Sequence, residues 1–200
     1  MTALVSLFAR ARHAQKPGVK IFSDTVAQKL ISAEEYRTIF KSMTDGISFF
    51  APDFSGSAEE AMDFINDRFL SPSPLGRSAF AESALENAVM LGARQYLIFA
   101  AGYDSYACRR QNKNLRVFEI DHPKTAADKQ RRLSAAGIEI PENTFYISAD
   151  FNTDSVAELL LKNARFDAEK LSFCSFLGLA YYLEKDVFKS LLRQTAEVIP

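Results

Sequence analysis

One glycine and three strand-end carboxylates are the residues of this chain whose types and spacing could do chemistry. The segment Gln95-Tyr96-Leu97-Ile98-Phe99-Ala100-Ala101-Gly102-Tyr103-Asp104 is an apolar run that ends in a glycine turn. A second apolar run ends Val117-Phe118-Glu119-Ile120-Asp121, and a third ends Tyr146-Ile147-Ser148-Ala149-Asp150. Open α/β folds bind ligands outside the carboxyl ends of their strands. An acid about 20 residues past such a glycine turn is placed to accept two hydrogen bonds from a ribose diol. Asp121 lies 19 residues past Gly102, and Glu119 lies 17 past it. Asp150 brings another carboxylate to the same edge, where it could accept a hydrogen bond from an adenine amino group.

The charge around the turn narrows the nucleoside. A dinucleotide needs the spacing G-x-G-x-x-G, so that backbone amides can approach the pyrophosphate. With Gly102 as the first glycine, Asp104 and Ala107 occupy the other two places; with Gly102 as the second, Ala100 and Ser105 do. In either register Asp104 sets a negative charge where the pyrophosphate would sit. S-adenosylmethionine has no phosphate and carries a sulfonium and an ammonium, which carboxylates favour. A nicotinamide-dependent oxidoreductase is correspondingly disfavoured.

The elements that must position these residues divide near residue 93. Ahead of it the pattern predicts helices over Thr25 to Met43, Ala58 to Phe69 and Leu75 to Leu91, with a capping box from Ser57 to Glu60. Asp45 to Ser57 reads as a loop, and Ser71-Pro72-Ser73-Pro74 as a break between helices. After it, apolar runs at Gln95 to Ala101, Leu115 to Ile120, Thr144 to Ala149 and Leu171 to Leu177 alternate with helical stretches. Those stretches are Ser105 to Arg110, Thr125 to Ala136, Asp154 to Ala164 and Lys185 to Glu197. Such alternation predicts βαβ units and a parallel sheet. Two regions follow: residues 1–92 as a helical cap and 93–200 as a partial nucleotide-binding core. The run Phe173 to Ala180 reads as a strand buried on both faces. Only four strands are visible before the final helix, so the sheet reads as truncated after its fourth strand. An open apolar edge calls for a cover, expected here from further chain, a second copy or a partner chain.

Composition removes other classes. The 24 Lys plus Arg against 25 Asp plus Glu give a net charge of −1, which argues against a nucleic-acid surface. Cys108 and Cys174 are the two cysteines, too few for a disulfide framework and in keeping with reduced thiols. His13 and His122 have no second histidine or cysteine at ligand spacing, so no metal site is expected. In the N-terminal segment Arg10, Arg12 and Lys16 follow the apolar stretch rather than precede it, unlike a secretory signal. No run reaches the length of a membrane span. The expected location is the cytoplasm.

With these residues in place, the segments Ala100-Ala101-Gly102-Tyr103-Asp104-Ser105-Tyr106-Ala107-Cys108-Arg109 and Phe118-Glu119-Ile120-Asp121-His122-Pro123 resemble the leucine carboxyl methyltransferase-like S-adenosylmethionine-dependent methyltransferases. That family typically shows GAGxDTRxxR, then FEVDxP with a lysine several residues on, here Lys129. The resemblance covers roughly Ser71 to Pro200 and, more weakly, the N-terminal helices. It implies a Rossmann-like, doubly wound, mainly parallel sheet with a helical N-terminal extension, and S-adenosyl-L-methionine as cofactor. The activity it implies is methyl transfer to an oxygen, a carboxylate or hydroxyl, of a small molecule. Arg77, in Arg77-Ser78-Ala79-Phe80-Ala81-Glu82, matches the arginine that pairs with the cofactor carboxylate. Ala100 and Gly102 match the turn, with Gly102 against the methionine part. Asp121 matches the ribose-binding acid, and Asp150 with Phe151 the adenine-side pair. Leu177 departs from the family, which often carries a glutamate there, and the family continues for several more strands and a substrate lid. A non-catalytic nucleoside-binding domain is the alternative.

Duller roles stand beside these. Asp121 could cap the helix after His122-Pro123, Asp150 could cap the helix that follows it, and Arg77 could be solvated. Glu119 is expected to support the site rather than touch ligand. Cys108 reads as a packed or half-exposed thiol rather than a nucleophile. Lys20 is a poor match to a family lysine that reaches the cofactor. A hydroxyl acceptor needs a base, for which Tyr181, Tyr182 and His13 are the local suspects.

Overall fold

The computed structural model describes residues 2–110 and 112–200. Contacts divide the chain into two units, Met1–Phe80 and Ala81–Pro200. The boundary falls inside one long helix, α6 (Pro72–Met90).

The first unit holds α1 (Thr2–Gln15), α2 (Ala27–Leu30), α3 (Ala33–Asp45), α4 (Ile47–Phe50), α5 (Ala58–Ile65) and the start of α6. Helix α1 lies where no helix was expected. It is held by two buried arginines: Arg10 pairs with the fully buried Asp24 at 2.8 Å, and Arg12 reaches Glu59 and Asp63 at 2.8 and 2.6 Å. The helix expected over Thr25 to Met43 is two helices. The Ser32 side chain accepts from Glu35 N while Glu35 returns a bond to Ser32 N, and this capping box starts α3 anew. The helix expected over Ala58 to Phe69 is α-helical only to Ile65 and runs on through Leu70 in π geometry. The Ser71–Pro74 break is the first turn of α6, where proline's missing N–H is no loss. Phe8, Met62 and Ile65 form this unit's core.

The second unit is a four-stranded parallel sheet: β1 (Gln95–Phe99), β2 (Arg116–Asp121), β3 (Thr144–Ser148) and β4 (Ser172–Ser175), in the order β3-β2-β1-β4. The crossovers carry α7 (Tyr106–Arg109), α8 (Pro123–Ala135) and α9 (Val156–Lys162), and α10 (Lys185–Val198) follows β4. Registers Leu97↔Phe118 and Phe99↔Ile120 align one face of β1 and β2. That face, Leu97, Phe99, Phe118, Ile120 and Ile147, packs with Val156 and Leu160 of α9 and Leu191 and Val198 of α10. The alternate residues, Tyr96, Ile98 and Val117, pack with Leu85 of α6 and Tyr106 and Ala107 of α7. Burial on both faces is why these strands read as continuous apolar runs. Strand β4 departs from that expectation: Ser172, Phe173 and Cys174 are only half-buried and Ser175 alone is buried, because β4 pairs on one side only.

Candidate functional site

The site begins where β1 stops. Asp104 N bonds to Ala101 O at 2.8 Å, closing a tight turn. Within it Gly102 has φ +52°, and so does Ala100, the positive-φ residue other than glycine among those described. An L-alanine in that region is strained by about 1–2 kcal/mol. The family pattern places a glycine at this position, so the sequence carries a side chain where the backbone favours none.

Asp121, the last residue of β2, closes against that turn. Its Oδ2 accepts from Gly102 N at 2.5 Å and its Oδ1 from His122 N at 2.6 Å. Each oxygen has a further lone pair for an outside donor. Burial raises the Asp121 carboxyl above the usual range, while the two backbone bonds and nearby Lys129 work to lower it. The helix that follows is capped by His122, whose Nδ1 accepts from Lys124 N, so Asp121 is not the cap.

Asp150 stands two residues beyond β3, and β3 pairs β2 through Asp121↔Ser148. Its Oδ1 accepts from Asn152 N and Nδ2, both at 3.0 Å, and these bonds hold its carboxyl below the usual range. The cap of α9 is Ser155. The Phe151 ring lies 6.3 Å from that of Phe99, which brings it beside the end of β1. Ala100, Gly102, Asp121, Asp150 and Phe151 therefore share the carboxyl edge of the sheet. Arg77 stands half-buried on α6 in the other unit.

Three polar clamps that spacing alone did not reveal hold this edge. Lys129 of α8 reaches Glu119 at 2.5 Å, with the two residues 1 % and 2 % exposed. Burial raises the Glu119 carboxyl, and Lys129 opposes the rise. Arg109 pairs with Glu82 of α6 and also donates to Ser105 Oγ at 2.8 Å. Tyr103, next to Gly102, donates to Asp128 Oδ2 at 2.7 Å, and Arg132 both bonds Asp128 and stacks over the Tyr103 ring. Asp128 and Arg132 pair at i, i+4 on α8, and Tyr103 joins them from 25 residues away.

The other candidates lie elsewhere or idle. Lys20 donates to His13 O, near the end of α1, and to Lys16 O just past it. Tyr181 and Tyr182 are exposed. His13 Nε2 is buried without a partner, and burial lowers its pKa. Burial pushes the Cys174 thiol up to about 12. Among the described residues no group of three or more His, Cys, Asp or Glu side chains is placed to hold a metal, and no helix is long and apolar enough to cross a membrane.

Comparison with known proteins decides the relationship. The family model described as leucine carboxyl methyltransferase matches residues 3–196. The chain belongs to that family. It is 34 % identical to YktD of Bacillus subtilis (strain 168), covering 100 % of this chain and 67 % of that protein. It is 27 % identical to Franean1_4929 of Parafrankia sp. (strain EAN1pec), over 96 % of this chain and 56 % of that one. To ML2020 of Mycobacterium leprae (strain TN) the identity is 34 %, over 61 % of this chain and 40 % of that one. All three bear the name S-adenosyl-L-methionine-dependent methyltransferase. The chain thus spans two thirds of the first relative and about half or less of the other two.

Proposed function

We propose that this chain is the cofactor-binding part of an S-adenosylmethionine-dependent methyltransferase acting on a carboxylate or hydroxyl oxygen of a small molecule. The observation that carries this reading is Asp121, half-exposed at the sheet's carboxyl edge and bonded at 2.5 Å to the amide of the glycine turn. The bonds to Gly102 and His122 fix the carboxylate's plane and leave lone pairs for a vicinal diol. The turn has no phosphate cradle, and Asp104, whose Oδ1 accepts from Tyr106 N, keeps it negative.

When bound, the sulfonium supplies an electrophilic methyl carbon. Asp121 holds the ribose hydroxyls, and Phe151 and Asp150 flank the base; the family resemblance gives Arg77 the carboxylate of the amino-acid end. Gly102, lacking a side chain, leaves room for the methionine part. These residues align donor and acceptor and exclude water, the main demands of an in-line displacement between a cationic donor and an anionic acceptor. A carboxylate acceptor is already ionised and needs no base.

Calorimetric titration with S-adenosylhomocysteine tests this reading, with NAD as control and Asp121→Ala as variant. Wild type should bind with micromolar affinity. The variant should bind about 100-fold or more weakly, from two lost charge-assisted bonds of about 1.5–3 kcal/mol each. Circular dichroism of the variant checks that it folds. NAD binding in place of the homocysteine ligand, or a folded variant of unchanged affinity, would overturn the assignment. A second reading, nucleoside binding without transfer, draws on Leu177 where the family often has glutamate. Binding without methyl transfer to any oxygen acceptor would favour it.

A further inference from the structure

At the opposite, amino-terminal edge of the sheet lies a basin of about 390 Å³ lined by Arg94, Gln95, Lys113, Asn114, Arg116 and Lys170. Four of these six are cations and none is an acid, in a chain whose net charge is −1. They converge from three separate segments: the start of β1, the approach and start of β2, and the loop before β4.

The basin is built rather than a run of solvated lysines. Its floor is Gln95, 0 % exposed, whose amide donates to Asp167 O and Ser172 Oγ and accepts from Asp167 N. The Arg94 and Arg116 guanidiniums are each anchored by one backbone carbonyl, Ala93 O at 2.9 Å and Arg165 O at 2.7 Å. The loop carrying Lys113 and Asn114 is pinned by Asn143 Nδ2, which donates to Asn112 O and Leu115 O. The neighbouring acids Asp167 and Glu169 lie outside the lining, and Asp167 spends its backbone on Gln95 and its Oδ1 on Glu169 N. The Lys113 and Lys170 ammoniums make no hydrogen bond or ion pair with a described residue and are exposed.

Four like charges around one space, two of them anchored guanidiniums, with no acid in the lining, favour a ligand of high negative charge. Guanidinium forks match phosphate oxygens bidentately, and lysines add mobile point charge. The volume falls within the range of small-molecule sites. We infer that this basin binds a small oligophosphate group, a pyrophosphate or longer. It is distinct from the proposed cofactor edge and lies a strand's length away, about 15 Å.

The probe is inorganic pyrophosphate, titrated calorimetrically into the full chain at about 50 mM and about 300 mM salt, with S-adenosylhomocysteine titrated separately. Wild type should bind one pyrophosphate saturably, more weakly at high salt. Lys113→Glu and Lys170→Glu, both at exposed positions, should each weaken binding about tenfold or more. Lys189→Glu alters net charge equally near the start of α10, which follows the carboxyl end of β4, and should leave affinity within about twofold. Homocysteine-ligand affinity should be unchanged in all three variants, which separates this site from the proposed cofactor edge. ATP as a second ligand distinguishes a nucleotide's phosphates from a free oligophosphate. Absence of saturable binding by wild type at about 10 mM pyrophosphate, or equal weakening by Lys189→Glu, would overturn the proposal.

Discussion

Replacing Lys129 by methionine removes one charge of a pair that has almost no solvent on either side. Lys129 is 1 % exposed and Glu119 2 %, and their closest atoms are 2.5 Å apart. Methionine nearly conserves the packed stem, so little of the loss comes from a cavity. What remains is an unpaired carboxylate in the core, for which breaking a buried pair costs about 3–5 kcal/mol. Against a total stability of about 5–15 kcal/mol, that is a large fraction. At about 2–4 °C per kcal/mol for a chain of this size, melting should fall by about 10 °C. Glu119→Met/Lys129→Met, which removes both charges, should return to within about 1.5 kcal/mol of wild type. Urea unfolding followed by circular dichroism measures all three proteins, since the chain has no tryptophan for fluorescence. The sign with pH follows from Glu119, whose carboxyl burial raises. A raised carboxyl disfavours the folded state only once it must ionise, so stability is fully present below its unfolded value and lost as pH climbs through the folded one. Without Lys129 that rise is larger, so the variant's deficit should be greatest at pH 7–8 and shrink toward about pH 4.5. A double variant no more stable than Lys129→Met, or a deficit independent of pH, would refute the electrostatic account and leave packing as the cause.

Ala100→Gly should stabilise the chain by about 0.5–1 kcal/mol, since relief of left-handed strain outweighs the added freedom of the unfolded glycine; thermal melting checks it. Phe118→Ala, at 0 % exposure and with its ring 5.3 Å from Phe145, should cost about 3–5 kcal/mol in urea unfolding. Cys174, with its thiol pushed up to about 12, has almost no thiolate at neutral pH and should resist a thiol reagent in the folded chain until denaturant is added. Asp128 is held down to about 2 by Arg132, Tyr103 and Arg131. Its contribution is therefore present above about pH 4 and lost as pH falls through about 2; Asp128→Asn should flatten acid unfolding in that window.

The sheet was readable because β1 and β2 are buried on both faces between punctuating turns, and β1, β2 and β3 fall within a residue or two of the predicted runs. The ends of those strands were readable for the same reason, so Gly102, Asp121 and Asp150 could be placed at one edge before their bonds were known. Helices were harder in the first unit. Thr25 to Met43 is periodic throughout, yet the Ser32–Glu35 capping box offers two bonds that a continuous helix would forgo, and the chain breaks there. Helix α1 shows no one-sided pattern because Leu7 to Arg12 are all buried, Arg10 and Arg12 among them, residues that read as solvent-facing until the acids that neutralise them, Asp24, Glu59 and Asp63, are brought up from 14 to 51 residues away. Long-range pairing of that kind leaves no periodicity. The same holds for Glu82 with Arg109, each visible within its own motif and neither pointing to the other.

These pairings also explain how the turn after β1 can be both strained and fixed. Its residues are small, Ala100, Ala101 and Gly102, and offer little apolar area to hold a backbone in the left-handed region. The restraint comes instead from polar groups on three sides. Asp121 takes the Gly102 amide, Asp128 of α8 takes the Tyr103 hydroxyl, and Glu82 of α6 takes Arg109 just beyond Asp104. Each is directional, so together they set the orientation of the turn as well as its position. An apolar clamp would tolerate sliding by a fraction of an ångström, whereas a charge-assisted bond at 2.5–2.8 Å loses much of its strength when bent or stretched. Loosening any one of the three should therefore weaken ligand affinity at this edge before it unfolds the sheet. Tyr103→Phe is the mildest such change, since it deletes one hydroxyl and leaves the ring under Arg132. It should reduce S-adenosylhomocysteine affinity by about fivefold, or about 1 kcal/mol, a part of the about 1.5–3 kcal/mol of a hydrogen bond to a charged group, because the loss reaches the ligand only through the turn, with melting changed by only a few degrees. Equal affinity in Tyr103→Phe and wild type would mean that Asp121 and Glu82 suffice to hold the turn.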